Sequence, residues 1–506
     1  MLRRSFHSLN KASPFVFGKD LFKTHDSPIL AEPYYFVNGE FKVATKGATN
    51  VLNPSTGASI GMIPNNGTAE TNEAIAAAEK AFPEWAGRSA RERAVVLRKF
   101  QSLMEKYHAD LAAIITREAG KPLAEAGGEN VYSSRFIEWY AAEAERVYGD
   151  IIPSAKGHGM RTIVQKRPVG VVGIVTPWNF PTAMITRAAG GALAAGCTVV
   201  IKPSEETPFS ALALCQIASE AGVPSGVFNV VMGQAKEIGD ALTDSFAVRK
   251  ISFTGSTRVD KELMARSAQT VKKVAMELGG NAPCIIFDDA DMNRAVDGAM
   301  AAKFRNAGQT CVCSNRVFVH ESIHDEFVSK IVERVKALKV GDGLLDPSIT
   351  MGPLINAAAR DRVAKAVQTA VAAGAKVEVG GEVPLGPGNF YLPTVLTNCT
   401  NESTICTEEI FGPVMPIIKF KTDEEVIKMA NDTKAGLAAY MFTESPRRQW
   451  NLSEKLQFGM VGVNDGVISN PAAPFGGVKE SGLGRDGSKY GIDAFLNIHY
   501  ILHSNL

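Results

Sequence analysis

From Gly170 onward the chain repeats one unit, a short β-branched run followed by a stretch of helical composition. The runs are Val171–Val175 and residues 198–201, 227–231 and 250–253. Strands that alternate with helices in this way become parallel neighbours, because each crossover helix returns the chain to the same end of the sheet. A second series starts at Pro283-Cys284-Ile285-Ile286-Phe287, passes through a helix at Met292–Phe304 and reaches a strand at 316–320. With 506 residues the chain exceeds what one ordinary core supports, so two α/β units joined near Gly279-Gly280-Asn281 are expected. Ahead of them, over residues 71–146, apolar residues recur three and four apart (Ala74, Ala77, Ala78, Ala81, then Val95, Leu97, Phe100, Leu103), which is amphipathic helical spacing. The globular sequence begins at Tyr34-Tyr35-Phe36-Val37-Asn38-Gly39.

Composition narrows what such a body can act on. A net charge of +1, with 21% charged residues, leaves no basic excess to hold a phosphate backbone, so no nucleic-acid partner is expected. Apolar stretches such as residues 189–201 are too short and too glycine-broken to span a bilayer, so no membrane partner is expected either. Seven cysteines, an odd number scattered over half the chain, do not form a secreted disulfide framework and fit a reducing compartment. The first nineteen residues carry Arg3, Arg4, Lys11 and Lys19 with Ser5, Ser8 and Ser13, and no acid before Asp20. That is transit-peptide composition, so residues 1–30 read as leader and linker, and the expected location is the mitochondrial matrix, with the cytoplasm as the alternative.

Three separated segments carry chemistry. Phe304-Arg305-Asn306-Ala307-Gly308-Gln309-Thr310-Cys311 places a thiol after a polar, glycine-containing turn, where it can be reached. A thiol attacks carbonyl carbon only as thiolate, so the site must activate it. Met276-Glu277-Leu278-Gly279-Gly280-Asn281 sets a carboxylate at the end of an apolar strand, suited to act as a base for water. Thr176-Pro177-Trp178-Asn179-Phe180-Pro181 follows the first strand of the series, at the end where α/β sheets hold ligands, and the Asn179 amide could donate to an oxyanion. Singly, each has a plain structural reading: a small buried thiol, a strand-end charge, a turn asparagine.

Together, and in this order, they resemble the aldehyde dehydrogenase superfamily over residues 36–506. The resemblance extends to Lys202-Pro203-Ser204-Glu205, Phe253-Thr254-Gly255-Ser256-Thr257, Glu408-Glu409-Ile410-Phe411-Gly412-Pro413 and Pro474-Phe475-Gly476-Gly477-Val478-Lys479. It implies an α/β fold with a Rossmann-type cofactor domain (31–149 and 169–280), an α/β catalytic domain (281–485) and a small β oligomerisation element (150–168 and 486–506). It also implies a homodimer or homotetramer, and Cys311 as nucleophile, Glu277 as general base, and Asn179 with the Cys311 backbone N–H as oxyanion hole. The implied cofactor is NAD, with NADP as the alternative, and no metal. Thr176, Pro177, Trp178, Lys202, Ser204, Glu205, Gly255, Ser256, Glu409 and Phe411 would hold it. Lys202 and Glu205 would meet the adenosine ribose, Gly255 and Ser256 the pyrophosphate, Glu409 the nicotinamide ribose, and Phe411 the ring. Where relatives often carry a second glycine five residues after the first, this chain has Asp260. A literal G-x-G-x-x-G at Gly482–Gly487 is expected to be a chance match, since no βαβ unit surrounds it.

Within the superfamily the likeness is to succinate-semialdehyde dehydrogenases, on Cys311-Val312-Cys313, Arg305 and Met184-Ile185-Thr186-Arg187. By that resemblance Arg187, Arg305 and Ser469 clamp the distal carboxylate of the aldehyde, for which guanidinium offers paired donors. Glutarate semialdehyde, a neutral aldehyde, and a thiol esterase activity remain alternatives, and the two arginines could instead make surface ion pairs. Cys313, two residues past the nucleophile, reads as a resolving thiol for reversible oxidation or as a small buried residue.

Overall fold

The computed structural model describes residues 14–18, 24, 27–44, 47–153 and 159–504. Its first sheet has eight strands, in the order Gly482–Leu483, Lys273–Glu277, Val248–Thr254, Val171–Val175, Thr198–Lys202, Phe228–Val230, Tyr34–Val37 and Glu40–Val43. The middle five are parallel, while Tyr34–Val37 and Gly482–Leu483 add antiparallel edges. Chain order therefore reverses at Val171–Val175, which pairs with Thr198–Lys202 on one side and Val248–Thr254 on the other. Side chains at the carboxyl ends of these strands open onto the crevice that such a switch point creates.

The second sheet has seven strands, in the order Lys376–Val379, Thr394–Thr397, Val414–Phe420, Ser314–His320, Ala282–Ile286, Ala438–Phe442 and Met460–Val463. All neighbours are parallel except at the Lys376–Val379 edge. A third sheet joins Leu496–Ser504, Met160–Pro168 and Asp150–Ile152, and it leaves Ile151, Ile498 and Tyr500 exposed. The helical segment resolves into Thr68–Gly87, Ala90–Lys106, His108–Ala119 and Leu123–Ala144. Trp85 of the first is fully buried and donates to the Leu193 carbonyl at 3.2 Å, tying this layer to the Pro181–Ala195 helix. No helix among the described residues is long and apolar enough to cross a membrane, and none of their His, Cys, Asp and Glu side chains group in threes that could hold a metal.

Two boundaries differ from expectation. Gly482–Leu483, placed with the catalytic unit, pairs instead with Lys273–Glu277 in the first sheet, because Gly482 lets its backbone approach Met276 where a Cβ would lie 1.9 Å from the Met276 carbonyl. The leader-and-linker reading of residues 1–30 falls partly outside the described residues. Of those described, Phe15, Ile29 and Leu30 are buried and Phe17 stacks on Tyr107 at 4.4 Å, so apolar side chains hold these pieces against the body.

Candidate active site

The turn that presents Cys311 is built from three successive left-handed residues. Helix Met292–Phe304 stops, and Asn306, Ala307 and Gly308 follow with φ of 53°, 52° and 75°. Left-handed backbone strains residues that carry a Cβ, so Asn306 and Ala307 need outside support. Gly308 cannot be replaced, since a Cβ there would meet the Gly412 carbonyl at 2.1 Å. Gln309 supplies part of the support, its side chain donating to the Asn306 carbonyl (3.2 Å) and accepting from the Ile355 N–H (2.9 Å). Next, the Cys313 N–H bonds the Thr310 carbonyl at 3.0 Å, closing a tight turn with Cys311 on its outside. Cys311 there lines two cavities, of about 620 and 280 Å³, and is the one residue common to the linings of both.

Glu277 ends its strand on the wall of the larger cavity with Oε2 buried and unpartnered. Burial, followed by the neighbouring Asp486, pushes its carboxyl well above the usual carboxylate range, against the pull of Arg187 and Arg485. Burial also pushes the Cys311 thiol up to about 12, with Arg187 opposing. Asn179, buried in the same cavity wall, donates through Nδ2 to the Gln309 carbonyl at 3.2 Å. An amide nitrogen has two hydrogens, so one donor is left for a ligand. Asn306 locks this corner, donating to both the Asn179 and Gln309 carbonyls (3.0 and 3.1 Å).

The smaller cavity runs away from Cys311 between Arg187, Arg305, Tyr132, Ser469 and Phe475. Surface ion pairs are ruled out for Arg187, which is 1% exposed and stands 4.4 Å over the Phe475 ring. It does form a buried ion pair, with Asp486 at 2.8 Å, while its Nη2 has no partner. The buried Nε of Arg305 has no hydrogen-bond partner, and its charge opposes the burial that raises the neighbouring Glu125 carboxyl. Tyr132 and Ser469 share the lining of this cavity. Tyr132 and Asp486 were absent from the sequence expectations, as were Lys121, Glu125 and Glu129 on the same wall.

The larger cavity suits a dinucleotide. Pro177, Trp178, Gly255, Ser256, Glu409 and Phe411 line it at the switch point of the first sheet. Ser256 precedes the helix Thr257–Ala268 without capping it through its side chain, which leaves first-turn N–H groups for a phosphate. Trp178 and Phe411 meet edge to face at 5.4 Å. Glu409 accepts from the Gly280 N–H at 3.1 Å, and a Cβ on Gly279 would lie 2.5 Å from its carboxylate, so the paired glycines seat this acid. Burial raises Glu409 to about 7. Thr176, Lys202, Ser204 and Glu205 lie outside this lining, next to one another at the strand ends, with Thr176 N–H on the Lys202 carbonyl (3.0 Å) and Lys202 paired to Glu205 at 2.5 Å. Asp260 is buried in the first turn of Thr257–Ala268 with Oδ1 unpartnered, and burial raises it to about 6.

All seven cysteines are free. Cys313 is buried, accepting from Thr310 Oγ1 (3.0 Å) and donating to the Lys303 carbonyl (3.4 Å), within the same turn as Cys311.

An aldehyde dehydrogenase family model matches residues 42–501. The chain is 54% identical over 471 residues to the mitochondrial succinate-semialdehyde dehydrogenase of Oryza sativa subsp. japonica, covering 93% of this chain and 89% of that one. It is 51% identical over 469 residues to the glutarate-semialdehyde dehydrogenase of Pseudomonas putida, covering 92% and 96%. The crystal structure of an NADP-dependent enzyme of E. coli superposes with a TM-score of 0.93 at 48% identity, covering 97% of this chain and all of that one.

Proposed function

The chain belongs to the aldehyde dehydrogenase family, and we propose that it oxidises succinate semialdehyde to succinate, with Cys311 as nucleophile. The observation that carries the substrate is the cavity behind Cys311, where Arg187 Nη2 and Arg305 Nε lie buried without partners. Buried, unpaired guanidinium nitrogens are costly unless an anion completes them, and a carboxylate at the far end of a short aldehyde does so. Ser469, in the same lining, adds a hydroxyl.

The Cys311 thiolate attacks the aldehyde carbon, forming a C–S bond and an oxyanion that the Asn179 amide receives. Burial pushes the Cys311 thiol up to about 12, the Arg187 charge pulls it back towards the thiolate, and the proton leaves to solvent before attack, so Glu277 remains free to act on water. When bound, the nicotinamide dinucleotide supplies the hydride acceptor. Loss of hydride from the carbon leaves a thioester on Cys311. Glu277 then takes a proton from water, which adds to the thioester and expels the Cys311 thiolate with release of the acid.

Arg305→Ala tests the clamp, because removing Arg187 instead would strand the buried Asp486 carboxylate paired with it. Efficiency on succinate semialdehyde is expected to fall about 30-fold or more, while a neutral aldehyde of similar length loses much less. Equal losses on both would make the arginine structural. Wild-type kinetics on a chain-length series separate succinate from glutarate semialdehyde, the substrate named for the Pseudomonas putida relative.

NAD is the preferred cofactor in this reading, since the Glu205 carboxylate, held at the ribose end by Lys202, repels a 2′-phosphate. Efficiency with NAD should exceed that with NADP, and Glu205→Ser should narrow the ratio about tenfold. A wild type that favours NADP would place the carboxylate elsewhere. The exposed apolar face of the third sheet supports homodimer or homotetramer assembly through that element. The basic, serine-bearing first nineteen residues support the mitochondrial matrix as the location.

A further inference from the structure

We propose that Glu125 and Glu129, one turn apart on helix Leu123–Ala144, are positioning residues that hold the Cys311 turn and the Asn179 loop in register. The inference rests on Cys311 being the nucleophile and Asn179 the oxyanion donor. Glu125 accepts from the Asn306 N–H with both oxygens, each at 3.1 Å. Asn306 opens the left-handed run that leads to Cys311, so this carboxylate supports strained backbone at its start. Glu129 reaches the other half of the site. Its Oε1 accepts from the Thr182 N–H and hydroxyl (both 3.0 Å) and the Ala183 N–H (3.4 Å), in the first turn of helix Pro181–Ala195, directly after the Asn179 loop. That helix also carries Arg187.

Lys121 secures the pair. Its ammonium bonds the second oxygen of Glu129 and sits 3.8 Å over the ring of Phe180, the residue after Asn179. Residues i and i+4 of a helix project from one face at a fixed separation. One rigid helix therefore sets the distance between two segments that are 127 residues apart where Asn306 meets Asn179. Neither carboxylate is needed for the chemistry already described, yet both line the cavity behind Cys311. Burial raises the Glu125 carboxyl, opposed first by the Asn306 N–H and then by the Lys121 and Arg305 charges.

The test compares Glu125→Ala and Glu125→Gln with wild type in steady-state kinetics and in hydrogen–deuterium exchange read by mass spectrometry. Glu125→Ala is expected to lower kcat about 10-fold or more, with the KM for dinucleotide within about twofold. Exchange should rise over residues 305–313 and not over 180–187. Glutamine keeps an oxygen that accepts from the Asn306 N–H, so it should restore kcat to within about threefold of wild type. Glu129→Gln should reverse the exchange pattern, loosening 180–187. Because it leaves Lys121 buried without its partner and could prevent folding, the Glu125 variants suffice without it. A kcat within about twofold of wild type in Glu125→Ala, a glutamine variant as impaired as alanine, or exchange raised evenly over the chain would overturn the proposal. If Cys311→Ala remains active, the underlying reading fails, and that result is separate from all three.

Discussion

Cys311→Ala is expected to lower aldehyde oxidation by about 10⁴-fold or more while leaving dinucleotide binding unchanged. Alanine removes the atom that forms the bond to the aldehyde carbon and little else, since the turn is held by Asn306, Gln309 and the Thr310–Cys313 hydrogen bond. Turnover is followed by absorbance of the reduced dinucleotide, and binding by quenching of tryptophan fluorescence, to which Trp178 in the cavity wall contributes. Activity within about tenfold of wild type would remove Cys311 from the mechanism. For Cys313 we propose reversible oxidation, tested on wild type and Cys313→Ala. Peroxide would take two electrons and two hydrogens from the Cys311 and Cys313 thiols, forming the disulfide and two waters. Residues 310–313 already form a tight turn, the bend that closure requires, but Cys313 must first give up its bond to the Lys303 carbonyl. Loss of activity reversed by dithiothreitol, with a two-hydrogen mass decrease, is expected in wild type and not in Cys313→Ala. Equal and equally reversible loss in both would exclude the pair.

Glu277→Gln should separate the two halves of the reaction. A carboxamide cannot take a proton from water, so thioester hydrolysis is expected to slow about 10²-fold or more, while the first turnover still releases up to one reduced dinucleotide per site. Stopped-flow mixing should show that burst, followed by a nearly flat phase. The pH profile supplies a second reading. Glu277 works as a base only when ionised, and burial holds its pKa well above the usual carboxylate range. The hydrolysis rate in wild type therefore rises as pH climbs through that raised value and falls as pH drops below it, and the glutamine variant should lack this limb. Steady turnover at the wild-type rate, with the limb intact, would assign the base elsewhere.

Much of this protein is written in local patterns. The run Val171–Val175 forms a strand with the expected bounds, and the run expected at 283–287 forms one a residue earlier, at Ala282–Ile286, because short length, β-branched residues and flanking turns distinguish such runs from helices. The helix Met292–Phe304 has the bounds its sequence predicts, ending where a left-handed turn begins. Asn179, Glu277 and Cys311 stand out in the sequence at turns and element ends and take their roles only from the family resemblance, and the fold brings all three to one cavity. Local pattern could not reach the partners drawn from distant chain. Nothing near Arg187 foretells that Asp486, almost three hundred residues away, holds it, or that it is buried over Phe475. Glu125 and Glu129 read as ordinary charges on a helix, yet packing turns that face inward onto backbone 181 and 53 residues further on. Gly482–Leu483 follows the second sheet in sequence and pairs with the first, because edge strands are chosen by which backbone is left open in space. Secondary structure and the element ends that carry the proposed reacting groups depend on interactions a few residues apart, which the sequence displays. Which buried charge meets which, and therefore how the reacting groups are held, depends on how helices and sheets pack, and only the tertiary structure decides it.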